Sequence, residues 1–183
     1  MKIKIGNAEV DASNGETMAI AVRGANARRA DATTDSRRLE DLDPHVAAMA
    51  RRHLAACAAA GVPCTVTFTY RSMDTQAALY AKGRTAPGRI VTNARPGQSF
   101  HNFGFAYDVV PDELAKLPRW GDTPAHQART DAVWAIVGRL GKAQGLRWGG
   151  DFTTLKDRPH FEWSGSLTLA DLRAGKRPTE RQA

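Results

Sequence analysis

Ser99-Phe100-His101-Asn102-Phe103-Gly104-Phe105-Ala106-Tyr107-Asp108-Val109-Val110 carries a structural and a chemical signal together. From Gly104 to Val110 the run reads as a buried strand. Side chains alternate along a strand, so Ala106 and Asp108 share a face, and that face is expected to look into a cleft. His101 stands seven residues before Asp108. About fifty residues on, Asp157-Arg158-Pro159-His160-Phe161-Glu162 supplies a second histidine with carboxylates on both sides. Two histidines and one aspartate make a three-ligand zinc set with one position open, and open positions belong to catalytic sites.

Working outward, Cys64 to Tyr70 alternates Val66, Phe68 and Tyr70 and reads as a half-buried strand. Before it, Asp43 and Pro44 suit the cap and first position of a helix over His45–Ala60 that Gly61 ends. Its inner face is expected to hold Leu54, Cys57 and Ala58. After the strand, Ser72 caps a helix over Met73–Ala81, and Arg71 sits at the junction. Arg84 to Gln98, with two Pro-Gly pairs, reads as a loop that rims the site, with Arg89-Ile90-Val91 pairing briefly. Gly104 is expected inside the strand that follows, allowing close backbone approach. Pro111 to Arg129 reads as irregular, with His126 a solvent histidine. A helix is expected over Thr130–Gln144, with Val133, Trp134, Ile136, Val137 and Leu140 on a wide apolar face. Leu146–Trp148 and Pro159–Trp163 are short strands around a Gly-rich loop. Thr168–Ala174 is a last short helix.

The chain divides into an N-terminal extension over 1–34, a catalytic domain over 35–175 and a polar tail over 176–183. In the extension, Lys2–Ile5 and Ala8–Val10 flank a Gly6-Asn7 turn, Thr17–Val22 is a further strand, and 23–34 is linker.

Hydrophobic residues make up 42% and charged residues 25%, ordinary values for a globular protein with a core. The charge is +7, which favours polyanions in general, but the cations are scattered without interleaved aromatics. Nucleic acid is therefore not an expected partner. No apolar run reaches the roughly 20 residues of a membrane span, so no membrane insertion is expected. The first residues hold no secretory apolar region, so the protein is expected in the cytoplasm until release. Cys57 and Cys64 form no metal or disulfide framework and read as free thiols.

The pattern Ser-x-His-x-x-Gly-x-Ala-x-Asp, matched at Ser99, His101, Gly104, Ala106 and Asp108, resembles the signature of the zinc D,D-peptidases and their L,D-cleaving relatives. That group includes VanY-type D-Ala-D-Ala carboxypeptidases and phage L-alanyl-D-glutamate endopeptidases. Asp157 to His160 resembles the family's third-ligand segment. Tyr70-Arg71-Ser72 with Gln76, and Trp148-Gly149-Gly150-Asp151-Phe152, resemble two further family segments.

The resemblance implies an α+β fold, a small, mostly antiparallel sheet with helices on one face, of the hedgehog/DD-peptidase-like kind. It implies one zinc per chain on His101, Asp108 and His160. Asp157 would be the general base, with Glu162 either its rival or a group that orients a ligand. Arg71 would hold a substrate carboxylate or the developing oxyanion. Ser99 would contact substrate, and Gln76 would bind substrate or orient its neighbours. The implied activity is hydrolysis in the peptidoglycan stem peptide by a monomeric endolysin that reaches the wall through a holin. L-alanyl-D-glutamate endopeptidase is the leading reading. D-Ala-D-Ala carboxypeptidase and a non-catalytic zinc-containing wall-binding protein are the alternatives.

Overall fold

The structure is a computed structural model that describes residues 2–5, 8–11, 34–116 and 123–178. The chain divides into two compact units, Met1–Ala32 and Thr33–Ala183. In the first, strand β1 (Lys2–Ile5) pairs antiparallel with β2 (Ala8–Asp11), Ile5 opposite Ala8. The strand expected over Thr17–Val22, most of the linker and the end of the tail lie outside the described residues.

The second unit is α+β. Strands β3 (Cys64–Phe68), β4 (Ala106–Pro111), β5 (Arg147–Trp148) and β6 (His160–Glu162) form one antiparallel sheet in the order β3-β4-β6-β5. The helices are α1 (Pro44–Ala59), α2 (Met73–Ala81), α3 (Asp112–Ala115), α4 (Pro124–Ala143) and α5 (Leu169–Arg173).

The central strands divide their side chains by alternation. Tyr107 and Phe161 are opposite in register, fully buried, and stacked with ring centroids 5.8 Å apart. Trp148 on β5 continues the row, 6.4 Å from Phe161. These rings face α1 and α4. His53 of α1 bridges the layers: Nδ1 lies 2.8 Å from Tyr107 Oη and Nε2 lies 3.0 Å from the Val137 carbonyl of α4. Both ring nitrogens are thus satisfied inside the core, which a buried polar group requires. Burying a ring such as Phe161 contributes about 1.5–3 kcal/mol. The opposite sheet face is left to Ala106, Asp108, His160 and Glu162.

The helix caps follow from local chemistry. Asp43 accepts from His45 N at 3.0 Å with Pro44 at the first turn. Ser72 accepts from Thr75 N at 3.1 Å. Thr168 and Asp171 form a reciprocal capping box on α5.

Several expectations need correction. Of the stretch read as irregular from Pro111, Pro111 ends β4 and Asp112–Ala115 form α3. The long helix starts at Pro124, not Thr130. Thr123 caps it, and exposed His126 lies in its first turn. Its first turns, Ala125 to Arg129, are exposed and carry no apolar stripe, so periodicity could not show them. Gly104 is not in the strand. It is the left-handed cap (φ 74°) of the 3-10 turn Phe100–Phe103, and a Cβ there would meet the Asp41 carbonyl at 3.0 Å. Arg89-Ile90-Val91 is not in a ladder, and Ile90 and Val91 are half exposed. On α1, Ala58 is exposed; the buried face is Val46, Ala47, Met49, Ala50, His53 and Cys57. Cys57 and Cys64 are both free.

Candidate active site

The register of the sheet brings the sequence-distant groups together. Asp108 and His160 are directly opposite on β4 and β6, and Ala106 is opposite Glu162. His101 enters from the 3-10 turn before β4. Its Nε2 lies 3.2 Å from Asp108 Oδ1 and 3.1 Å from His160 Nδ1, and His160 Nδ1 lies 3.2 Å from the same Oδ1. Three ligand atoms therefore form a nearly equilateral triangle, as the expected set His101, Asp108 and His160 requires.

The outer hydrogen bonds fix which ring atoms face that triangle. His101 Nδ1 is 2.7 Å from the Thr69 carbonyl. A carbonyl only accepts, so Nδ1 carries a hydrogen, and in the neutral ring Nε2 keeps its lone pair. His160 Nε2 is 3.0 Å from Glu162 Oε2, so it donates there and Nδ1 is turned inward. Such partners orient metal-ligating imidazoles. Two imidazole nitrogens 3.1 Å apart repel unless a proton or a cation lies between them. A tetrahedral ion with bonds of about 2.0–2.1 Å holds its ligand atoms roughly 3.3 Å apart. The triangle matches that spacing, and its N, N, O donor set suits zinc.

Electrostatics sharpen the picture. Burial alone would raise the Asp108 carboxyl, but the charge of His101 and hydrogen bonds from both histidines hold it well below the usual range. Burial pulls His160 down, yet its bonds to Asp108 and Glu162 push it up to about 10. The ring is thus protonated when no metal competes. Burial raises the Asp157 carboxyl, opposed by the charges of His160, His101 and Arg71. Asp157 keeps an exposed flank, which moderates that upward push.

Arg71 is tied in from several sides. Its Nη1 donates to Gln76 Oε1 at 3.1 Å, its Nη2 lies 3.5 Å from Asp108 Oδ2, and its guanidinium sits 4.7 Å from the Phe68 ring centre. Its Nε is buried with no hydrogen-bond partner among the described residues. The β3 ladder shifts register between Val66 and Phe68, and this irregularity immediately precedes the Thr69 carbonyl that meets His101.

Arg71, Ser99, His101, Asp157, His160 and Glu162 line one cleft. Gln76 does not line it. Gln76 is buried, with Nε2 donating to the Ala94 carbonyl at 2.7 Å and Oε1 accepting from Arg71, so its polar atoms are engaged by the protein behind the cleft wall. Asn102 was not singled out by sequence. It donates to the Arg71 carbonyl at 2.8 Å and accepts from Gly97 N, locking the His101 turn to the arginine. Its position inside the Ser99–Asp108 stretch was the available signal.

A family model described as D-alanyl-D-alanine carboxypeptidase matches residues 92–163. The chain is 37% identical over 122 residues to the peptidoglycan L-alanyl-D-glutamate endopeptidase CwlK of Bacillus subtilis (strain 168), covering 67% of this chain and 73% of that protein. The chain belongs to the zinc D,D-/L,D-peptidase family. It is thereby a metallopeptidase in a family of peptidoglycan hydrolases. Among solved structures, the LD-carboxypeptidase LdcB matches with a TM-score of 0.50 at 18% identity, over 77% of this chain and 67% of that one. The L-Ala D-Glu endopeptidase ChiX of Serratia marcescens matches with a TM-score of 0.42 at 27% identity, over 73% and 86%. Among the described residues, no helix is long and apolar enough to cross a membrane.

Proposed function

We propose that this chain is a zinc-dependent peptidase that cleaves the L-alanyl-D-glutamate bond of the peptidoglycan stem. The observation that carries the metal is the triangle of His101, Asp108 and His160 ligand atoms, with both tautomers set from outside. The likeness to CwlK over 122 residues supports the choice of bond.

A zinc ion held there supplies Lewis acidity toward the scissile carbonyl and makes water a competent nucleophile near neutral pH. The chain's own groups do the rest. Asp157, on the cleft wall, takes the proton of the attacking water and returns it to the leaving amine. Its raised pKa suits both halves of that task. Arg71 presents a fixed guanidinium to the oxygen on which negative charge develops, and Gln76 and Phe68 keep it in place. Glu162 fixes the His160 ring. Ser99, on the cleft wall, offers a hydroxyl to the substrate backbone.

The test is digestion of purified peptidoglycan by zinc-loaded protein, with mass analysis of the fragments. Cleavage between L-Ala and D-Glu is expected. Release of a terminal D-Ala instead would make the chain a D-Ala-D-Ala carboxypeptidase, the activity in the matching family description. Wall binding without fragments would leave the non-catalytic reading. His101→Ala should reduce zinc content from about one per chain to none, and full activity in strong chelator would refute the metal. Asp157→Asn should lower turnover by roughly 10²–10⁴-fold with zinc retained. If Asp157→Asn keeps its turnover and Glu162→Gln loses it with zinc still bound, the base is Glu162.

A further inference from the structure

Trp148 lies on the helix-facing side of the sheet, away from the triangle, yet its indole N–H reaches the loop that carries Asp157. Nε1 donates to the Arg158 carbonyl at 2.8 Å. The ring has little freedom to move. It stacks on Phe161 at an interplanar angle of 18°. Gly138 of α4 lies beneath it, and a Cβ on Gly138 would meet Trp148 Cζ3 at 2.6 Å. Gly150 approaches the ring too, where a Cβ would meet Cη2 at 2.6 Å. Three elements thus clamp one indole, and its polar edge is spent on a single carbonyl in the turn before His160.

The same turn is stitched to the residue after Trp148. Asp157 N donates to the Gly149 carbonyl at 2.9 Å, and His160 N donates to the Asp157 carbonyl at 3.1 Å. A Cβ on Gly149 would meet the Asp157 carbonyl carbon at 3.2 Å and His160 Cβ at 3.0 Å, so the two backbones are in direct contact. The Asp157–Arg158 peptide is therefore held at its start by Gly149 and at its end by the indole. Arg158 adds a side-chain tether to Asp131 of α4 at 2.6 Å, partly open to water.

We infer that Trp148 is a positioning residue for the reaction: it transmits the fixed place of α4 and Phe161 to the Asp157 carboxylate through the Arg158 carbonyl. The inference rests on the reading of Asp157 as general base. A base acts only within hydrogen-bond reach of the proton it takes. A displacement of about 1 Å at such a group can lower the rate roughly 100-fold.

Trp148→Phe keeps an aromatic ring over Phe161 and deletes the donor. We expect kcat to fall roughly 10- to 100-fold, with KM, zinc content and melting temperature close to wild type. In an Asp157→Asn background the same change should lower kcat no further, because the group it positions is gone. Replacing Trp148 with benzothienylalanine keeps the bicyclic shape and puts sulfur where the N–H stood, so it carries the test if Trp148→Phe fails to fold. In metal-free protein, the indole N–H resonance that disappears in Trp148→Phe should be protected from solvent exchange. Unchanged kcat in the benzothienyl variant, or losses that multiply with Asp157→Asn, would overturn the inference, as would rapid exchange of that indole proton. Wild-type turnover in Asp157→Asn alone would instead remove the base, and the inference with it.

Discussion

Glu162→Gln tests the geometry of the metal site with almost no change of shape. The glutamate is buried, and its two oxygens serve different partners. Oε2 accepts from His160 Nε2 at 3.0 Å, and Oε1 forms an ion pair with Arg147 Nη1 at 2.8 Å. A carboxylate accepts at both ends, whereas an amide accepts at one end and donates at the other. If the amide oxygen faces His160, its NH₂ is driven against the Arg147 guanidinium. If the NH₂ faces His160, the ring must take the other tautomer and put its hydrogen on Nδ1, the nitrogen that faces Asp108 and His101. In the first case His160 keeps its tautomer but trades a charged acceptor for a neutral one, and in the second the site loses a fixed ligand. Loss of such a partner lowers metal affinity by about 10–100-fold, equivalent to roughly 1.4–2.8 kcal/mol. Competition between metal-free protein and a chromophoric zinc chelator measures it directly. Arg147→Gln, at an exposed arginine, leaves the His160 contact intact and is expected to change affinity far less. Equal zinc affinity in wild type and Glu162→Gln would refute the claim that Glu162 sets the His160 ring.

Other outcomes follow from the same contacts. In metal-free protein, His160 is raised from its ordinary 6.5 to about 10, so its contribution to stability is full below pH 6.5 and is lost as pH rises toward 10. The melting temperature without metal should therefore fall across that window, and saturating zinc should abolish the slope. A flat metal-free profile would contradict a protonated His160 between two carboxylates. Arg71→Lys keeps the charge but not the planar fork, and turnover should fall by about 100-fold with zinc still bound; wild-type kinetics would make the arginine structural. Gly141→Ala would place a Cβ against Phe161 Cε1 and 2.7 Å from its Cδ1 inside a fully buried contact. Overpacking of about 1–3 kcal/mol exceeds the helix-propensity gain of roughly 1 kcal/mol, so denaturant melts should show net destabilisation.

Much of this protein was legible in its sequence because the informative signals are local. Alternation in Ala106–Asp108 fixed which residues share a face, and Asp43 and Ser72 announced their helices through caps that act within a few residues. The grouping of His101, Asp108 and His160 was legible too, because a His–Asp spacing of seven with a second histidine between carboxylates is a pattern that few other chemistries need. Tertiary structure alone decided the rest. Asp108 and His160 are 52 residues apart, and only the packing of Tyr107, Phe161 and Trp148 against α1 and α4 selects the register that sets them side by side. A one-residue slip would turn every one of these side chains to the other face. The roles of Gly138 and Gly141 were silent because a glycine has no side chain to show which ring approaches it. The start of α4 was silent because an exposed helical turn has no apolar stripe. That Glu162 faces His160 and Arg147, and that the Trp148 indole meets the Arg158 carbonyl, are likewise facts of folding, since partners for buried polar atoms are chosen by where the backbone brings them.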